Sequence, residues 1–414
     1  MRHQISPFPG MRPCSPFLAV ALGLAACRDG APHIRDMQRG AASVIEASAP
    51  AWTRGDSWHL DTANVLSIGL TEGDDAYVFG NIAGAARLSD GRIVVADGFS
   101  HQLRYFDANG RFMRATGRKG AGPGEFQAIG WLGECGGDSV FVYDVSLARI
   151  SVFDPAGTYA RSFWPRTPVA GRAPSAVACA GGGPLVVSTR STAAVRRKVG
   201  PHRLAAPVAV ISREGEMLHD FGSFPGPDRY RHAGSDGPLP LGKQLSVTIH
   251  GEKVLIGTAD EYVIGSFSMQ GTQEALIRRD VGRRRITARD RDRYTDEQLA
   301  RVRDPARRRS LAGWYRDLSF PEFFPAYASL KTDPDGNLWV QDYVRPGEER
   351  VLWRVFDSTG VYLGTLELPR GFTVFQVGRD FVLGAWVDAL GTSYVHQYAL
   401  RKPEPQPRRL RSME

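Results

Sequence analysis

Short apolar bursts, broken by turns rich in glycine and aspartate, set the rhythm of the chain. From Asp90 to Gly117, "DGRIVVADGFSHQLRYFDANGRFMRATG" reads as a turn, an apolar strand, a loop, an alternating strand, an "FDANG" turn and a third strand. The same order returns from Asp138 in "DSVFVYDVSLARISVFDPAGTYARSFWP", and the turn residues Phe106 and Phe153 lie 47 positions apart. Weaker copies follow as "PLVVSTR" with "PVAVISREGEMLHDFG" and "KVLIGTA" with "YVIGSFSMQGTQEALI". A clear fifth copy is "DGNLWVQDY" with "RVLWRVFDSTGVYLGTLEL", and a sixth, "FVLGAWVD" with "SYVHQYALRK", lacks its closing strand.

A period of about 45 residues with three or four strands per unit predicts radially stacked sheets. Ile93-Val94-Val95 and Leu338-Trp339-Val340 are apolar on successive residues. Both faces of those strands must therefore be covered, as they are when each sheet packs between two others. "SWHLDTANVLSIG", from Ser57, is strand-like and precedes the first full repeat. It is expected to pair as the outer strand of the sixth unit and join the two chain ends. The predicted fold is all-β: a six-bladed β-propeller closed by an N-terminal strand, spanning 52–402, with a short helical insertion between blades four and five at about 283–316. Residues 403–414 read as a disordered tail.

"GRKGAGPGEF", Gly117 to Phe126, invites reading as a phosphate loop. It has no Lys-Ser/Thr pair opening a helix and no GxGxxG entering one. Pro123 removes an amide donor, so the stretch is expected to be a connector from the rim of blade one to the axis of blade two, with Phe126 wedged between blades. Read together, "GRIVVADGFSHQLRYFDANGRFMRATGRKGAGPGEF" resembles the NHL repeat. Blade one matches almost throughout and blade two over its strands and turn, while blades three, four and six diverge. The whole chain resembles secreted six-bladed propeller lipoproteins of bacteria. The resemblance implies the fold; it does not imply an activity.

The N-terminus changes the picture next. Arg12 precedes an apolar run, Phe17 to Ala26, too short for a permanent span and suited to the core of a secretory signal. Its end, Leu24-Ala25-Ala26-Cys27, resembles a lipobox, which implies a lipoprotein signal over 1–26 and acylation of Cys27. Residues 27–51 are small and polar, as in a flexible tether. The expected location is the bacterial cell envelope, lipid-anchored on the periplasmic side or the outer membrane. Export leaves Cys135 and Cys179 as a pair in an oxidising compartment, expected as a disulfide; two separate buried thiols are the alternative.

Composition agrees with a strand-and-turn protein: 42% hydrophobic and 23% charged residues, 46 glycines and 27 prolines in 414 positions. The formal charge of +8 is local. Arg278 to Arg316 holds fourteen arginines against six acidic residues, an excess equal to that of the whole chain. Thr295 and Gln298 in "TDEQLARVRD" are expected to cap a helix there. Three roles stay open for this segment: a solvated insert paired with its own acids, a contact for anionic lipid or acidic envelope polymer, or a lid over the ring mouth.

Candidate chemistry is thin. Asp97, Asp144 and Asp342 end equivalent strands, opposite Thr189, Thr258 and Ala385 in the other blades. The resemblance implies that such an aspartate accepts backbone hydrogen bonds in its own loop, and carboxylates spaced round a ring cannot share one ion. His101, His202, His219, His232, His250 and His396 show no metal-cage spacing. A possible ligand face gathers Asp97, His101, Asp144, Arg190, Asp342 and Tyr343. No catalytic residue, cofactor or metal is assigned. The expected function is a binding or scaffolding module for a protein or envelope-polymer partner, monomeric, held to the membrane by its lipid and without nucleic acid. Similar-shaped propellers include calcium lactonases, zinc amidating lyases and a streptogramin lyase, so the alternative is a metal-dependent hydrolase or lyase, with calcium or zinc in the channel mouth.

Overall fold

A computed structural model describes residues 43–53, 56–169, 171–179, 181–189, 199–232, 235–388 and 390–403. The expected signal and Cys27, Arg190, and the tail beyond 403 lie outside the described residues.

Two strands precede the repeats: β1 (Ser43–Glu46) and β2 (His59–Ile68). Blade one is β3 (Ile82–Arg87), β4 (Ile93–Asp97), β5 (Gln102–Phe106) and β6 (Phe112–Thr116); blade two is β7 (Ile129–Glu134), β8 (Val140–Asp144), β9 (Arg149–Phe153) and β10 (Tyr159–Phe163). Blade three has β11 (Pro174–Cys179), β12 (Leu185–Thr189), β13 (Gly200–Ile211), β14 (Met217–His232) and β15 (Ser235–Pro238). Blade four is β16 (Ser246–His250), β17 (Lys253–Gly257), β18 (Val263–Ser268) and β19 (Gln273–Arg278). Blade five is β20 (Ser329–Thr332), β21 (Leu338–Gln341), β22 (Val351–Phe356) and β23 (Tyr362–Leu368); blade six is β24 (Phe372–Val377), β25 (Phe381–Val387) and β26 (Ser393–Arg401). First strands of successive blades lie side by side, β3 by β7, then β11, β16, β20 and β24, which returns to β3. The fold is a six-bladed β-propeller.

Closure follows the expected route. β2 pairs antiparallel with β26, Leu60 opposite Leu400 and Val65 opposite Tyr398, so the leading segment is the outer strand of blade six.

Side-chain alternation explains the unbroken apolar strands. Ile93 and Val95 face the seam between blades six and one, while Val94 and Ala96 face the seam between one and two. Val140 and Val142 share that second seam, and Phe141 and Tyr143 turn toward blade three. Leu338 and Val340 pack against blade four, and Trp339 against blade six. Each inner strand therefore belongs to two cores, which is why a one-sided pattern never appears.

Two sequence expectations need correction. Ser43–Glu46, inside the stretch assigned to the tether, runs parallel to β19 as a fifth strand of blade four. Its β-branched pair divides by face: Val44 is exposed, and Ile45 packs at the seam of blades four and five with Ile277. The insertion forms two helices in the chain between β19 and β20, α1 (Ala288–Ala300) and α2 (Pro305–Asp317), but Thr295 is interior to α1. The cap is Thr287, whose side chain and that of Asp290 form the capping box. Asp304 caps α2, with Pro305 at its first turn. The Asp290 amide donates to the Thr287 hydroxyl and the Thr287 amide to the Asp290 carboxylate, so both donors are met at the helix start, which Thr295 lies too far along the chain to do.

The helices have a small core of their own. Tyr315 and Leu318 pack with Tyr230 of β14 and Leu239 beyond β15, joined by Leu299, Leu311 and Trp314. The long β13–β14 arm of blade three thus supports the insert. Between blades two and three, Cys135 and Cys179 form a disulfide with their Cα atoms 5.6 Å apart.

Candidate functional site: an arginine-lined cleft at blades four and five

The connector Gly117–Phe126 is structural. Phe126 is fully buried in the seam of blades one and two, and Glu125 ties the loop by accepting from Arg118 and from the Gly122 amide. Gly117 and Gly124 supply the positive φ of the bend, at 93° and 71°.

Asp97 and Asp144 are fully used. Asp97 accepts from the amides of Asn81 and Phe99, from the Ser100 hydroxyl and from Arg104. Asp144 accepts from the amides of Gln127, Ala128, Ser146 and Leu147. His101 sits at φ 58° with Nδ1 buried and lacking a hydrogen-bond partner. Asp342 and Tyr343 are placed elsewhere, in a cleft of about 250 Å³ where blades four and five meet.

The cleft grows from three neighbouring segments: the β17–β18 turn, the chain leaving β19, and the loop after β21. Ala259 adopts φ 58° in the first, and its amide donates to the Tyr327 hydroxyl at 3.1 Å. That hydroxyl reaches in because residue 257 is glycine; a Cβ there would lie 2.0 Å from it. The turn delivers Asp260, Glu261 and Tyr262 to the cleft wall, β19 delivers Arg278 and Arg279 with Arg283 and Arg284 behind them, and the far wall holds Phe324, Asp342, Tyr343, Arg345 and Arg354.

Most of these charges are spoken for. Asp260 accepts from Arg203 at 2.7 and 2.8 Å and pairs with Lys243 at 3.2 Å. Burial pushes its carboxyl up, but Arg203 and Lys243 outweigh burial and leave the pKa below the ordinary value. Asp342 receives Nε and Nη2 of Arg354 at 2.8 and 2.7 Å, a fork-on-fork pair. Burial opposes the Arg354 charge, and the Asp342 bonds overcome it, raising that pKa. Arg345 is paired with Glu348.

Two groups are not. Tyr262 is 2% exposed and its hydroxyl has no hydrogen-bond partner among the described residues. Burial, reinforced by Asp342 and opposed by Arg354 and Arg279, holds its pKa well above the ordinary phenol value, so it remains an O–H donor. Arg279 lies 4.5 Å over the Tyr362 ring, with Nε and Nη1 buried and unpartnered. A buried polar group without a partner costs about 1–3 kcal/mol, so such groups are normally filled. Both donors belong to residues that line the cleft, and their chemistry suits an acceptor-rich anion.

A second cavity of about 190 Å³ follows the ring axis among the first strands, with Lys331 and Glu134 in its wall. Burial lowers the Lys331 pKa, and its amine donates to Phe375 O at 3.3 Å. Among the described residues, no group of three His, Cys, Asp or Glu side chains stands where it would hold a metal ion.

Sequence reasoning placed Asp342 and Tyr343 in a possible ligand face but missed Tyr262 and Arg279. One signal was present: the fourth repeat carries "TADEY" where the first carries "DGFSH", replacing the loop-tying aspartate with Thr258 and placing a tyrosine at the end of the turn.

A family model described as a 6-bladed beta-propeller matches residues 70–161, which lie in blades one and two. Among solved structures, an exported protein from Bacteroides fragilis is 12% identical, with a TM-score of 0.48 over 87% of this chain and 99% of the other. Virginiamycin B lyase from Staphylococcus aureus is 10% identical, with a TM-score of 0.40 over 82% and 99%. Regucalcin, a calcium-binding protein from Agrobacterium tumefaciens, is 10% identical, with a TM-score of 0.40 over 79% and 93%. No curated protein matches the sequence. Likenesses this distant bear on neither ligand nor activity.

Proposed function

We propose that the protein is an extracytoplasmic binding module, anchored through an acylated Cys27, whose cleft between blades four and five takes an anionic group of its ligand. The signal-like run before Cys27 and the Cys135–Cys179 disulfide support export. The observation that carries the binding role is the pair of unpartnered donors, the Tyr262 hydroxyl and the Arg279 guanidinium, at the cleft wall.

The test uses acetate and inorganic phosphate as probes of the full mature chain, with binding followed by calorimetry and by chemical-shift changes of the Arg279 side chain. Saturable binding of either probe, lost in Tyr262→Phe and Arg279→Gln, is the expected result. Binding that both variants retain, or no binding by the wild type, overturns the assignment. Membrane fractionation of Cys27→Ala separately checks the anchor, since release of this variant into the soluble fraction is expected.

A further inference from the structure

Fourteen arginines stand between Arg278 and Arg316, and the cleft uses only the first few. The nine from Arg289 to Arg316 are all exposed, and their side chains make no ion pair or hydrogen bond within the described residues. Of the nearby acids, Asp292, Asp296 and Asp317 are exposed without an ion pair among the described residues, and four others bond to the backbone. Asp290 caps α1, Asp304 caps α2, Asp280 accepts from the Gly282 amide and Glu297 accepts from the Gly347 amide. Nine arginines against six acids from Arg289 to Asp317 leave a formal charge of 9 − 6 = +3 on the insert, and no acid is paired with any of the nine among the described residues.

That surface adjoins the cleft. Glu297 of α1 holds the loop at Gly347, two residues from Arg345 in the cleft wall. The helices are braced from beneath by Tyr230 and Leu239 of the blade-three arm. The braced helices set where these arginines stand, while the exposed side chains stay free to meet repeated carboxylates through the planar guanidinium fork. Aromatic rings accompany the charge: half-buried Tyr343 lines the cleft beside the buried Phe324 at 5.6 Å, while the Phe323 face is already covered by Arg283 at 3.9 Å. Bare phosphate chains offer nothing to the Tyr343 ring, whereas the C–H face of a sugar does. A membrane surface fits less well. β1 meets the Gln273 end of β19 with Ser43, while the insert departs from the Arg278 end, so the tether and the arginines leave opposite ends of that strand.

We infer that the ligand is a linear acidic polysaccharide, one uronate residue seated in the cleft and its continuation lying along the exposed arginines of α1 and α2. This rests on the anion-binding reading of the cleft, and the experiment separates the two.

Galacturonate and an oligogalacturonate of about ten residues are titrated into the full mature chain at low and high salt. The oligomer is expected to bind at least roughly tenfold more tightly than the monomer, with an advantage that fades as salt rises. The triple variant Arg307→Ser, Arg308→Ser, Arg309→Ser, checked for an unchanged melting temperature, should lose that advantage and keep monomer binding. Tyr262→Phe should weaken both ligands. Equal affinity for monomer and oligomer, or an unchanged oligomer affinity in the triple variant, overturns the polysaccharide and leaves the cleft reading intact. Tighter binding of polyphosphate, single-stranded DNA or phosphatidylglycerol vesicles than of the oligomer also overturns it. Absence of binding by every probe, acetate and phosphate included, removes the cleft reading as well.

Discussion

The disulfide between blades two and three gives the most quantitative prediction. Cys135 follows β7 and Cys179 ends β11, so the bridge ties two neighbouring first strands across 44 residues of chain. Removing that closure frees the unfolded chain, which the loop-entropy relation puts at about 4 kcal/mol for this span. The native side adds little, because the adjoining turns already touch; a Cβ on Gly136 would lie 2.1 Å from the Gly182 Cα. The double variant Cys135→Ala, Cys179→Ala avoids a stray thiol and leaves only a small void, since Cys135 is fully buried in the seam. Equilibrium urea unfolding of the oxidised wild type, the reduced wild type and the double variant should place the last two together, about 4 kcal/mol below the first. A difference under about 1 kcal/mol would refute the argument, meaning that the unfolded chain gains little freedom when the bond is absent.

Three further outcomes are expected. Ile68→Ala, at a 1% exposed position of the closing strand, should cost about 2–5 kcal/mol in thermal or urea unfolding, because the strand completes both blade six and the seam with blade one. Asp342→Asn leaves the Arg354 fork without its carboxylate; with the two side chains 20% and 16% exposed, a loss of about 2 kcal/mol is expected, and no loss would show that the pair is solvent-screened. Burial lowers the pKa of His396, whose ring stacks on Trp386 at 5.1 Å, so the unfolded chain takes up its proton first. Its contribution is complete above the ordinary value of 6.5 and is lost as pH falls through the lower folded value, so the melting temperature should drop below pH 6.5 and drop less in His396→Phe.

The ring was legible because its constraint is written on successive residues. Val94 and Val95 serve different seams, and only a sheet covered on both sides tolerates that pair. The closing strand was legible for a related reason, since blade six lacked an edge and Ser57 onward offered one. The first strands were harder to read. β3, "IAGAAR", is built mostly of small residues and β20, "SLKT", has only four residues, so neither carries a strong strand pattern. β1 was hidden by composition, because four residues amid small polar ones carry no periodicity and gain their pairing from the exposed edge of β19. The cleft was hidden for a deeper reason. Tyr262 and Arg279 matter through what fails to reach them, and an unmet hydrogen bond is a property of three dimensions.

The location of that cleft follows from how the ring is stabilised. Each seam closes on side chains of adjacent blades, and a short connector serves that seam, as Phe126 does between blades one and two. β6 passes to β7 through twelve residues, Gly117 to Ala128, whereas Arg279 to Ala328 separates β19 from β20. A long connector can hold charge that would be intolerable in a seam, because it carries its own support in Tyr315, Leu318 and the blade-three arm. Its first residues must still leave the end of β19, beside the turn that carries Tyr262, and the backbone amide of Arg279 indeed donates to Tyr262 O at 2.9 Å. Unpaired arginine and buried phenol therefore meet where the regular repeat gives way to the insertion. A substitution that removes the donors, such as Tyr262→Phe, can accordingly alter binding while the six seams remain as they are.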